Sequence, residues 1–135
     1  MQVQYVPTEY IHQTWPLVEG YMTSALEYSH GEYTPEQAKV YLSNGQWTLY
    51  VAVDDAGALS GAGAVQFNNL PNDRVAFVVA IGGKLFTGQD TWQQFVDLLK
   101  ARGATRVEGA ARESIARLWK RYGFEEKYRI VGVAL

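Results

Sequence analysis

Apolar residues recur along this chain with two different periods, and the changes of period mark out its elements. Met1 to Val6 alternates as a strand does, and Pro7 ends it. Ile11, Trp15, Val18, Met22 and Leu26 then recur every three or four residues, which predicts a helix with one buried face. Pro16 within that run predicts a kink or a restart. Thr34-Pro35-Glu36-Gln37 has the form of a helix start: a threonine cap, proline in the first helical position and glutamine three residues after the cap. Ala38, Tyr41 and Leu42 give this second helix a buried side, and Asn44-Gly45 stops it.

Trp47 to Val53 is rich in β-branched and aromatic residues and predicts a strand. Asp54-Asp55-Ala56-Gly57 turns it back into a strand over Ala58 to Phe67. After the turn-rich loop Asn68 to Asp73, the continuous apolar run Val75 to Ala80 predicts a central strand buried on both faces. Ile81 to Gly88 is a loop. Trp92, Phe95, Val96 and Leu99 mark a helix from Asp90 that Gly103 stops, and Thr105 to Gly109 is a short strand. In Glu113 to Phe124, Ile115, Leu118, Trp119 and Tyr122 share one helical face, Gly123 supplies a left-handed stop, and Phe124 opens a closing strand that runs to Leu135. The order is β-α-α-β-β-β-α-β-α-β, which predicts an α/β domain with a mixed central sheet and helices on both faces.

Composition removes several classes of function. The chain has 135 residues, enough for one domain with a sizeable core, and its 47% apolar and 19% charged residues suit a globular fold. No run is long and apolar enough for a membrane span, and Met1-Gln2-Val3-Gln4 does not open a secretory signal, so a cytoplasmic protein is expected. With no cysteine there is no disulfide framework, thiolate metal site or cysteine nucleophile. His12 and His30 stand alone in sequence and read as surface residues, so no metal is expected.

The net charge of −2 hides an asymmetry. From Lys100 onward nine basic residues face four acidic ones, whereas before it three face ten. A solvated face accounts for this, and a site for an anionic ligand is the sharper alternative. The acidity of the whole chain argues against nucleic acid. Gly82-Gly83-Lys84 lacks the spacing of a Walker A loop. Gly61-Ala62-Gly63 lies within a strand, which predicts close packing and not a dinucleotide fingerprint.

The helix-glycine-aromatic corner at Glu113 to Phe124 resembles the last helix-to-strand corner of the GNAT acyltransferase superfamily. Leu49-Tyr50-Val51-Ala52-Val53-Asp54-Asp55-Ala56-Gly57-Ala58-Leu59-Ser60-Gly61 is similar to that family's second and third strands, and the spacing from Asp90 through Gly103 to Phe124 fits as well. The resemblance covers nearly the whole chain and implies a single GNAT-like domain over residues 1–135. It implies transfer of an acyl group from acetyl-CoA or another acyl-CoA to an amine.

In that family a loop of pattern Arg/Gln-x-x-Gly-x-Gly/Ala aims backbone N–H groups at the pyrophosphate, where a helix N-terminus favours negative charge. Spacing from Gly103 places the loop at Gly83 to Gly88. The resemblance then implies Ala80, Ile81, Gly82, Gly83, Lys84, Gly88 and Gln89 as the cofactor-binding residues, with backbone N–H groups around Ala80 to Gly82 polarising the thioester carbonyl. Gly88 fits the last loop position, Gly83 stands where Arg or Gln is usual, and Phe86 stands on the middle glycine, so the loop is degenerate.

The last helix departs from the pattern too. Arg112 and Trp119 occupy the positions of a frequent asparagine and of the tyrosine that protonates the departing thiolate. An indole N–H is no proton donor at neutral pH. Tyr122 and Asp73 are the remaining candidates for catalysis.

Two other readings compete. Small GNAT-like proteins occur in tailed-phage genomes, and Pro71-Asn72-Asp73-Arg74-Val75-Ala76-Phe77 with Gly109-Ala110-Ala111-Arg112-Glu113-Ser114 resembles such a member. That resemblance implies a protein without turnover that binds a protein partner, for example as a virion component in an oligomer or larger assembly; four Trp, nine Tyr and five Phe supply side chains suited to interfaces. The other reading is regulatory binding of a small anion by the cationic quarter. A groove filled by Phe86 or Trp119 favours a binding protein, and an open one a cofactor.

Overall fold

The computed structural model describes all of Met1–Leu135. Five strands, β1 (Gln2–Val6), β2 (Thr48–Val53), β3 (Leu59–Asn69), β4 (Arg74–Gly83) and β5 (Arg106–Gly109), form one sheet in chain order. The first four run antiparallel to their neighbours, and β5 joins β4 in parallel. The helices are α1 (Ile11–Leu26), α2 (Pro35–Ser43), α3 (Gln89–Ala101) and α4 (Glu113–Trp119), with a short 3-10 turn over Lys120–Tyr122. A mixed sheet with helices on both faces is therefore the architecture, as the periodicity predicts.

Each face has its own core. Ile11, Trp15, Val18, Met22 and Leu26 are all buried and pack α1, with Ala38 and Leu42 of α2, against Leu49, Val51, Ala62 and Ala64. The opposite face packs Phe95 and Leu99 of α3, Trp119 of α4 and Leu85 against Val3, Tyr50, Val65, Ala76 and Val78. The second helix starts as its sequence predicts. Thr34 Oγ1 accepts from Gln37 N–H at 3.2 Å, and Gln37 Oε1 accepts from Thr34 N–H at 2.9 Å. The turn before β3 is tied by Asp54 Oδ1, which accepts from Ala56 N–H and Ala58 N–H at 3.0 and 2.9 Å.

Four details differ from the sequence reading. The first helix runs through Pro16 without a restart, because its buried stripe packs continuously on the sheet. β4 extends to Gly83, so the predicted loop from Ile81 begins three residues late; Ile81, Gly82 and Gly83 pair with Gly63, Ala62 and Gly61. Phe124 to Leu135 forms no strand, since β5 has only four residues and offers too short a template. Leu118, at the margin of its helical stripe, consequently has no strand beneath it and is 42% exposed.

Tyr50 is fully buried between Tyr5 and Phe95, with ring centroids 5.9 and 5.3 Å away, and its hydroxyl has no hydrogen-bond partner. Burial raises its pKa above the ordinary phenol value, while nearby Thr48 and Arg102 oppose the shift. A buried hydroxyl left unpaired costs about 1–3 kcal/mol. Tyr50→Phe is therefore expected to stabilise the fold by about 1 kcal/mol in urea denaturation. It should also remove a loss of stability above about pH 10, where the unfolded phenol ionises and the folded one does not. A loss of stability in Tyr50→Phe would show that the hydroxyl is bonded.

Candidate functional site

β4 and β5 share a ladder only from Val75↔Arg106 to Val78↔Gly109. Beyond that point β4 continues to Gly83 while the chain after β5 turns away into α4, so the two strands part. Backbone groups of successive β4 residues alternate in direction. The Gly82 and Ala80 carbonyls face β3, as does Lys84 N–H, which donates to Ser60 O at 2.9 Å. Ile81 between them therefore turns its N–H and C=O towards the opened side, where no strand pairs with it. Ile81 is one of the sequence-predicted cofactor residues, and its position on the opened side follows from the ladder itself.

The glycines of this corner answer to packing. A Cβ on Gly61 would lie 2.6 Å from Lys84 N, one on Gly63 would lie 2.7 Å from Leu85 Cδ2, and one on Gly82 would lie 2.8 Å from Tyr21 O. Gly83 has φ +67° and is pressed against Ser60 O, Gly61 Cα and the Tyr21 ring. Close strand packing is thus the role of Gly61-Ala62-Gly63. Gly88 is different. It precedes α3 with extended backbone, and a Cβ there would meet nothing within 4 Å, so the space before α3 is open. The N–H groups of Gln89, Asp90 and Thr91 in the first turn have no helical acceptors, which makes them donors for an anion, while the Asp90 carboxylate in that turn opposes one.

Aromatic rings fill the side of the parting strands nearest α3 and α4. Phe86 contacts Phe95, Trp92, Trp119 and Tyr122 with centroids at 5.1, 5.2, 5.9 and 6.1 Å. Trp119 lies so close to β5 that a Cβ on Gly109 would come within 2.9 Å of its ring. Tyr122 donates its hydroxyl to Phe86 O at 3.4 Å, which ties the loop to the turn after α4. Tyr122 and the Gly83–Gly88 loop are therefore brought together. Asp73 is not: it sits before the other end of β4, roughly 30 Å from Gly83 at strand rise, and accepts from Thr105 Oγ1 at 2.9 Å.

One contact bridges this end of the sheet. The Arg112 guanidinium, just before α4, stacks 4.1 Å above the ring of Tyr28, in the segment that follows α1. In the sequence Arg112 stands as a departure from a family pattern and within the segment Gly109 to Ser114 that resembles phage members; Tyr28 carries no sequence signal that would pair them. His12 and His30 are exposed, and no three His, Asp or Glu side chains are grouped to hold a metal. No helix is long and apolar enough to cross a membrane.

Four of the nine basic residues in the cationic quarter are paired with carboxylates. Arg106 and Lys127 both reach Glu108 Oε2, at 3.2 and 2.8 Å, Arg117 reaches Glu113 at 3.7 Å and Arg129 reaches Glu126 at 3.3 Å. The hydrogen bond from Lys127, with help from Arg106, holds the Glu108 carboxyl below its ordinary pKa. That contact is present at neutral pH and fades as pH falls through the lowered value. These side chains are spent on neighbours and do not converge on one point.

No protein-family model matches the chain, and no curated protein matches it in sequence. Solved structures match it in shape along its whole length. Aminoglycoside N-acetyltransferase AAC(6')-Iy in complex with CoA superposes with a TM-score of 0.69 at 10% identity, over 99% of this chain and 93% of that one. A probable acetyltransferase gives 0.68 at 16% identity, over 100% and 97%. Glucosamine-6-phosphate N-acetyltransferase from Arabidopsis thaliana gives 0.63 at 14% identity, over 98% and 97%. The chain thus has the fold of the GNAT acetyltransferases.

The tight seat of Gly83 can be checked directly. Gly83→Ala adds a left-handed alanine, about 1–2 kcal/mol, to an overpacked contact, about 1–3 kcal/mol. A loss near 3 kcal/mol in chemical denaturation is expected. A variant as stable as the parent would mean that Gly83 is held for something other than packing.

Proposed function

We propose that this protein transfers an acyl group from acyl-CoA to an amine, using the cleft where β4 and β5 part. The observation that carries the reading is the unpaired backbone of Ile81 on the opened side of β4, ahead of the open space at Gly88 and the free N–H groups that begin α3. The whole-chain likeness to N-acetyltransferases supports it. Backbone donors of this kind suit a thioester carbonyl and a diphosphate.

Acyl-CoA fits this site through backbone groups. Ala80, Ile81 and Gly82 would line the acyl end; Gly83, Lys84, Gly88 and Gln89 would hold the diphosphate, with Lys84 supplying charge. The bound cofactor supplies an activated acyl group. The protein's own part is to orient the amine beside it and exclude water, and positioning of this sort can lower a barrier by roughly 7–11 kcal/mol. Tyr122, once its hydroxyl leaves Phe86 O, is a phenol held against the loop and the candidate proton donor. Phe86 must swing away from Trp119 and Trp92 for the loop to open.

The filled groove favours a second reading, in which the fold is kept for binding a protein without turnover, as in a phage virion component. Phe86 and Trp119 occupy the side of the cleft that a cofactor would need, and Asp90 opposes a diphosphate.

Calorimetry separates the readings. Acetyl-CoA at up to about 1 mM should bind to the parent protein. Phe86→Ala should bind it at least tenfold more tightly if the ring is the obstacle, and a panel of amines should then release free thiol. Binding with no turnover on any amine favours the second reading. No heat from either protein overturns the first.

A further inference from the structure

The helices leave part of the sheet uncovered on the α1 side, and a carboxylate outside the cleft points into that gap. In β4, Ala76 and Val78 pack towards α3, so Phe77 between them points to the α1 side, where it is only half-buried. β5 repeats the pattern. Val107 packs towards α3 and Gly109 lies against Trp119, so Glu108 points the same way as its register partner Phe77. The Glu108 side chain is 19% exposed, and its partners are Arg106 Nε at 3.2 Å and Lys127 Nζ at 2.8 Å. Lys127 is an alkylammonium on a segment whose backbone makes no hydrogen bond from Glu125 to Leu135, so it can leave without disturbing the fold.

The position of Glu108 fixes a length. Ile81 stands four residues beyond Phe77 on β4, roughly 13 Å at strand rise. A carboxylate that far from the acyl carbon cannot touch the nitrogen that reacts, but it can hold a second ammonium on the same molecule. The surroundings favour such a cation. Arg112 on Tyr28 draws the segment after α1 over this end of the sheet, and Glu27 and Glu32 of that segment are exposed and make no ion pair. Two cations already sit on Glu108, so an incoming ammonium replaces Lys127 charge for charge and leaves Arg106 in place.

We propose, resting on the acyl-transfer reading above, that the acceptor is a linear aliphatic diamine or polyamine, held at its far ammonium by Glu108 in place of Lys127 and acylated at its other end beside Ile81. The end that reacts is the free amine, its ammonium proton already lost to water. Its nitrogen attacks the acyl carbon. The C–N bond forms, the C–S bond breaks, and the surplus proton on nitrogen passes to the departing thiolate. Phe77 and Val79, both half-buried, would line the methylene chain between the two ends.

Calorimetry on the full chain with three amines tests this without turnover. Diaminooctane has nitrogens separated by a distance of this order, diaminobutane has nitrogens too close together, and octylamine has no second charge. Diaminooctane should bind about tenfold more tightly than either of the others, the worth of one hydrogen bond to a charged group. Glu108→Gln should remove that advantage while acetyl-CoA binds as it does to the parent. Lys127→Met, which frees Glu108 and leaves it in place, should tighten diaminooctane about threefold even if Glu108→Gln misfolds. Equal binding of the three amines by the parent, an advantage that survives Glu108→Gln, or no gain in Lys127→Met would each overturn the proposal. Acetyl-CoA binding with undiscriminated amines overturns the diamine and spares the acyl-transfer reading. Diamine binding that depends on Glu108, with no binding of acetyl-CoA, overturns both.

Discussion

β4 and β5 hold each other by backbone hydrogen bonds only as far as Val78 and Gly109, and past that point aromatic side chains take over. The parting creates a free backbone at Ile81, inside a domain that otherwise pairs its strands in order. A parted sheet must be stabilised at the opening, and here Trp119 against Gly109 and Phe86 against four other rings do so. Edge-to-face contacts of this kind contribute about 0.5–1.5 kcal/mol each beyond their buried area. The packing that keeps the strands apart therefore also occupies the space they open. An acyltransferase built this way must exchange ring contacts for cofactor contacts, and a binding protein has no need to.

The fold was legible wherever hydrophobic period and end signals agreed. The stripe Ile11-Trp15-Val18-Met22-Leu26 and the box at Thr34 and Gln37 are local codes, and the structure carries both unchanged. The closing strand was not legible, because the apolar residues of Phe124–Leu135 describe a capacity to pair and not the presence of a partner. Pro16 misled for the opposite reason: a local breaker gives way when the flanking stripe is buried on both sides of it.

The site divides along the same line. Gly61, Gly63, Gly82 and Gly83 attract a phosphate-loop reading when seen as letters, yet the positions that their missing side chains would occupy are filled by backbone, Leu85 and Tyr21. The approach of Tyr122 to Phe86 and of Arg112 to Tyr28 joins segments far apart in sequence, and no spacing rule reaches across that distance. The cationic excess after Lys100, suggestive of an anion site by count, is partly drawn into ion pairs on Glu108, Glu113 and Glu126, and Arg102 and Arg112 lie over the rings of Tyr5 and Tyr28. Exposed pairs of that kind contribute little to stability, about 0–1 kcal/mol each, and Glu108 matters more for fastening the start of the tail to β5.

Ile81 is the free donor proposed for an acyl-CoA cleft. Nuclear magnetic resonance of the amide groups during titration with acetyl-CoA tests that most directly. The account predicts that the Ile81 amide shifts together with those of Gly82, Lys84 and Gln89, while Asp73 at the far end of β4 stays still. Saturating acetyl-CoA that leaves the Ile81 amide unmoved, or that moves only residues away from the parted strands, would contradict it.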